Sequence, residues 1–141
     1  MWPKKKADDE KWGEMNKEAA RLTQEKKLDE ALSFAEKAFN YTKKHYGKKD
    51  KKTVIALNNL GIINLLKKDF DEAEAYLLLA LKLSEKISGK YGEHAAMINM
   101  NLAELHSARA KAILETNRVF KDEAVNNRGR GITLSLGGQD G

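Results

Sequence analysis

The sequence predicts an all-α chain, in which antiparallel helical hairpins stack as a short solenoid of about five helices with a flexible C-terminal tail. Three observations lead there. The chain lines up with itself without a gap when shifted by 42 residues, the mark of a repeat architecture. Its single proline is Pro3, so nothing beyond it is barred from helix by that ring. Residue choice leans to Ala, Leu, Lys and Glu, good helix formers, and β-branched or aromatic runs that would support strands are scarce.

The repeat sets the elements in order. Lys26-Lys27-Leu28-Asp29-Glu30-Ala31 falls on Lys68-Asp69-Phe70-Asp71-Glu72-Ala73. Ala35 falls on Leu77, Ala38 on Ala80, Phe39 on Leu81, and Gly47-Lys48 on Gly89-Lys90. Met15 and Ala19 fall on Leu57 and Gly61, and Asn59-Leu60-Gly61 falls on Asn101-Leu102-Ala103. The chain thus reads as two full repeats and the first helix of a third. Helices are expected near 9–25, 29–46, 52–67, 71–88 and 94–116. In the fourth, Ala73, Leu77, Ala80, Leu81 and Ser84 follow the spacing of one helix face. Asp29 and Asp71 are expected to cap the second helix of each pair, with Leu28 and Phe70 as hydrophobic staples. Gly47 and Gly89 stand where those helices should stop. Connections of two or three residues force antiparallel packing. Small residues (Ala19, Gly61, Ala31, Ala73) mark where helices approach closely.

These elements imply a basic, flexible segment over 1–8, a repeat domain over 9–116 and a tail over 117–141. The repeats lie near 12–53 and 54–95, with a partial one over 96–116. The runs Asn126-Asn127-Arg128-Gly129-Arg130-Gly131 and Gly137-Gly138-Gln139-Asp140-Gly141 are poor helix formers. Between them, Ile132-Thr133-Leu134-Ser135-Leu136 alternates as a strand would, without a partner edge. The tail is expected to be disordered or docked on a partner. Net charge is +5, and residues 1–52 supply it, with 15 Lys and Arg against 10 Asp and Glu. There is no cysteine, which excludes disulfides and thiolate metal sites. No apolar run approaches the roughly 18 residues of a membrane span. The first residues lack the apolar core of a signal peptide. A cytoplasmic location is expected, with an exported one left open.

The spacing Leu57, Leu60-Gly61, Phe70, Ala73, Leu77, Ala80 resembles the tetratricopeptide repeat. The period is longer than that family's usual one and is similar to repeats of the kinesin light chain type. Ala56-Leu57-Asn58-Asn59-Leu60-Gly61, Asp71-Glu72-Ala73-Glu74 and Glu85-Lys86-Ile87-Ser88-Gly89-Lys90 carry the likeness, which covers roughly residues 12–108. It departs at Met15 and Glu18, at Asp50-Lys51 and Gly92-Glu93, where a His-Pro pair is usual, and after His106.

The resemblance implies that the solenoid is right-handed and serves as a scaffold that binds a peptide or partner helix on the concave face, lined by the first helix of each pair. The matching positions are Asn16, Ala20 and Thr23, then Ile55, Asn58, Ile62 and Leu65, then Met97, Met100, Glu104 and Ser107. Asn59 and Asn101 lie one residue further round. Asn58 and Asn59 are the first choice for contact, because an amide both donates to and accepts from a peptide backbone. Asn101 is expected chiefly to tie helix to helix. Ile62, Leu65 and Leu66 favour an apolar groove over a carboxylate clamp. The fourth helix is apolar nearly all round, so burial on every side is expected, with Leu79 and Leu83 as candidates for self-association in a homodimer.

Catalysis is not expected. His45, His94 and His106 lack second ligands at metal spacing. No glycine-rich loop follows a strand, and no Gly-x-Ser-x-Gly turn occurs. No cofactor is implied. The alternatives to the scaffold are a basic nucleic-acid-associated adaptor using the lysines of 43–52 with Arg128 and Arg130, and a self-assembly module without another partner.

Overall fold

The computed structural model describes residues 2–129. Five helices follow one another: α1 (Trp2–Gln24), α2 (Leu28–His45), α3 (Lys51–Leu66), α4 (Phe70–Ser88) and α5 (Glu93–Gly129). No strand occurs among the described residues. The expected strand over 132–136 lies outside them, as does Arg130. The chain divides into two compact units, one ending at Leu105 and one beginning at His106.

In the first unit α1 pairs with α2 and α3 with α4, and α2 packs on α3. The two hairpin turns are closed identically, 42 residues apart. Lys27 N–H donates to the Leu22 carbonyl and Lys26 N–H to that of Thr23; Asp69 N–H donates to Asn64 and Lys68 N–H to Leu65. This double bond pattern is the Schellman motif, with its left-handed residue supplied by lysine rather than glycine: φ is 60° at Lys26 and 65° at Lys68. The second helices end at residues followed closely by glycine in positive φ, 87° at Gly47 and 82° at Gly89.

The helix starts differ from expectation. Lys27 and Asp69 occupy the N-cap positions, and neither makes a side-chain cap bond. Asp29 and Asp71 sit in the first turn, where their charge still opposes the positive helix end. Asp29 instead takes Lys67 Nζ at 2.8 Å, an ion pair between repeats, and that bond raises the Lys67 pKa. Leu28 and Phe70 are the first helical residues rather than staples before the cap. The start of α3 is capped conventionally, Asp50 Oδ1 accepting from Lys52 N–H at 2.8 Å.

Two clusters form the core. Ala19, Leu22, Ala31, Ala35, Leu60 and Ile63 join the first hairpin to α3. Val54, Leu57, Ala73, Leu77, Ala80, Ile98, Leu102 and Leu105 join the second hairpin to the start of α5. Phe39 and Tyr76 pack against both. The repeat register shows in the burial: Ala31 and Ala73, Ala38 and Ala80, and Thr42 and Ser84 are all buried pairs 42 apart. Gly61 is required by closeness, because a Cβ there would stand 2.6 Å from Leu77 Cγ and Cδ2.

Helix α1 begins at Trp2 rather than near residue 9, so residues 2–8 are helical. Its first turns gain partners from α2 and α3. Tyr41 donates to Asp8 at 2.8 Å, Tyr46 donates to Asp9, and Lys52 Nζ lies 3.8 Å from Asp9. Helix α5 runs to Gly129, past the expected end at 116 and through Asn126-Asn127-Arg128-Gly129. Helix formers and local bonds carry it, including the Arg118–Glu115 ion pair and Thr116 Oγ1 donating to the Ala112 carbonyl at 2.9 Å. On α4 the expectation of burial all round does not hold. Leu77 and Ala80 are fully buried and Leu83 packs on the core, but Leu78 and Leu79 are half exposed. They point away from the one stripe that the hairpin and α5 cover.

Candidate functional site

Helices α1 and α3 and the start of α5 are the first helices of successive repeats, and two open hollows lie between them. The first, about 200 Å³, lies between α1 and α3, with Asn16, Ala20, Thr23, Asn59 and Ile62 on its walls. The second, about 270 Å³, lies between α3 and α5, with Ile55, Asn58, Asn59, His94 and Met97 around it and Val54 and Ile98 at its floor. Asn59 belongs to both.

The asparagines occupy repeating positions. Asn16 and Asn58 are 42 residues apart, and so are Asn59 and Asn101. Asn101 Nδ2 donates to Asn58 Oδ1 at 2.9 Å, closing the pair between α5 and α3. The equivalent pair one repeat earlier is Asn59 with Asn16, and it is open. The Asn16 Oδ1 atom is shielded from solvent and has no hydrogen-bond partner. Thr23, beside it, turns its hydroxyl to the Ala19 carbonyl at 2.7 Å and does not fill the gap. Asn64, a buried polar residue on α3, likewise serves its own helix, with Nδ2 donating to the Leu60 carbonyl at 2.8 Å.

Of the residues expected on the binding face, Asn16, Asn59 and Ile62 meet at the first hollow, and Ile55, Asn58 and Asn59 at the second. Asn101 borders the second through its bond to Asn58. Leu65 is partly buried against the core and lines neither hollow. Met97 is half exposed and Met100 is 72% exposed, so a soft apolar ledge continues along α5. Leu79 is exposed, and Leu83, one turn further along α4, is partly buried against the core. His94 lines the second hollow and was not expected there. Its position three residues before Met97 on the same helix was the available signal. Among the described residues no group of three His, Cys, Asp or Glu side chains could hold a metal ion, and no helix is long and apolar enough to cross a membrane.

Antiparallel hairpins repeating every 42 residues, with a lined face on their first helices, define a helical-repeat scaffold. The tetratricopeptide repeat model matches residues 15–86 and 53–113, and the chain belongs to that family, whose repeats mediate protein–protein interaction. Among solved structures the chain is similar to BtubC (BKLC) from P. vanneervenii, with a TM-score of 0.67 and 22% identity. That likeness covers 94% of this chain and 50% of the other, so this chain spans half of that protein's length, and at such identity it speaks for the fold. No curated protein matches the sequence.

Proposed function

We propose that the face formed by α1, α3 and the start of α5 binds a segment of another protein. Apolar side chains of that segment enter the hollows beside Ile62 and beside Ile55 and Met97. Its backbone meets Asn16 and Asn59.

The open asparagine pair carries this reading. A buried acceptor without a partner costs about 1–3 kcal/mol, and native proteins keep few of them. An incoming N–H group would satisfy Asn16 Oδ1, while Asn59, whose side chain has no hydrogen-bond partner among the described residues, borders both hollows. Asn58 and Asn101 then serve to fix the spacing of α3 and α5. The mixed lining, apolar with a few convergent amides, suits a peptide whose side chains vary and whose backbone does not.

A photoreactive residue in place of Ile62 tests the site against one in place of Leu79. Capture of one discrete protein from position 62 alone, lost when Asn59→Ala is added, is the expected result. Equal capture from position 79, unaffected by Asn59→Ala, contradicts the proposal.

A further inference from the structure

The positive charge of the chain collects in one place that the groove does not use. Residues 4–11 and 43–52 hold ten lysines against four carboxylates, a surplus of six that exceeds the +5 of the whole chain. In sequence these are separate segments. In the fold they adjoin, because Asp8 and Asp9 of α1 are held by Tyr41, Tyr46 and Lys52. His45 Nδ1 also lies 3.6 Å from Asp8. An open hollow of about 340 Å³ lies between them, lined by Lys4, Lys5, Asp8, His45 and Tyr46.

Two features separate this patch from an ordinary solvated surface. Helices α1 and α3 both begin there without an acidic residue in the first turn, and both carry lysines in it instead. Lysine at the positive end of a helix opposes the helix dipole, where a carboxylate would be favourable. At α3 the Asp50 carboxylate at the N-cap offsets this, so the rule is broken at the first turn of α1 alone. Second, Lys48, Lys49 and Lys51 are exposed and have no ion-pair partner among the described residues.

We infer that this lysine patch docks an acidic polypeptide segment, at a place distinct from the groove on the first helices. Its chemistry favours a carboxylate-rich chain over nucleic acid. The aromatic rings nearby are already covered: Lys52 lies 4.7 Å from the Tyr46 ring centroid and 5.7 Å from that of Trp12, and Tyr41 stacks on His45 at 4.1 Å. Among the described residues Trp12, Tyr41 and Tyr46 are half-buried, so none of the three stands out as a platform for bases.

Fluorescence anisotropy with a labelled oligoglutamate tests this, beside a single-stranded DNA oligonucleotide of equal charge. Lys48→Glu/Lys49→Glu/Lys51→Glu changes only exposed residues and leaves the Asp8–Asp9 network intact. Lys86→Glu/Lys90→Glu/Lys111→Glu makes the same change in net charge elsewhere. The peptide should bind the wild type and weaken roughly tenfold or more in the patch variant. It should keep its affinity in the charge-matched control and in Asn59→Ala. The proposal is overturned by equal peptide binding in the patch variant, by an equal loss in the control, or by tighter binding of the oligonucleotide than of the peptide.

Discussion

Asn101 donates from Nδ2 to Asn58 Oδ1 at 2.9 Å, while the residues one repeat earlier, Asn59 and Asn16, stand in the same register without that bond. The same residue pair thus plays two parts. Where it is closed it sets the distance between first helices. Where it is open it leaves a buried acceptor at the wall of a hollow.

The open acceptor separates stability from binding. Asn16→Leu keeps the volume and removes an unsatisfied polar atom, so it should stabilise the fold by about 1 kcal/mol while weakening the bound partner. Asn101→Ala removes a made bond and should destabilise by about 1 kcal/mol. Urea unfolding of the two variants checks the opposite signs.

Gly61 and Leu77 are in forced contact. Gly61→Ala should cost about 1–3 kcal/mol, the usual penalty of overpacking a filled core. Adding Leu77→Ala should recover part of that loss, which a double-mutant cycle in urea would read as coupling.

The hairpin turns hold lysine in the left-handed region. Lys68→Gly should stabilise by up to about 1 kcal/mol, since glycine meets that φ without steric cost. Lys26→Gly should do the same, and since the Lys67–Asp29 ion pair joins the two turns, the double variant reads the coupling between them. Thermal unfolding of the single and double variants checks both statements.

Tyr41 and Tyr46 make the start of α1 sensitive to alkali. Burial, then the hydrogen bond to Asp8, pushes the Tyr41 pKa up to about 12, and burial and Asp9 raise that of Tyr46 further. A folded pKa above the unfolded one of 10.0 means the neutral phenol is the stabilised form. Its contribution is complete below pH 10 and is lost as pH rises through the folded value. Helicity near the N-terminus should therefore fall between about pH 10 and 12, and Tyr41→Phe/Tyr46→Phe should flatten that dependence. Circular dichroism across this range is the check.

The fold was legible in the sequence where one face repeats. Ala73, Leu77, Ala80 and Ser84 announce the buried stripe of α4, and Gly61 announces the close approach of α3 to α4. Features set by distant partners were not legible. The early start of α1 depends on Tyr41 and Tyr46 reaching Asp8 and Asp9 across 33 and 37 residues. The left-handed turns hid because Lys26 and Lys68 are not glycine. Asp29 looked like a cap because nothing in its neighbourhood reveals Lys67, which takes its carboxylate. Of the candidate site, the first-helix register gave Asn16, Ile55, Asn59 and Ile62 as residues of one face. It did not show that Leu65 packs inward, nor that the asparagine pairs differ, since those follow from how far apart the helices settle.

The most direct test of the binding face is an amide and methyl NMR titration of the labelled protein with a peptide selected against it from a random library. The account predicts that the side-chain amide signals of Asn16 and Asn59 and the methyl signals of Ile55 and Ile62 move together with added peptide. Saturable binding that leaves those four signals in place and moves residues of α2 or the outer side of α4 would contradict it.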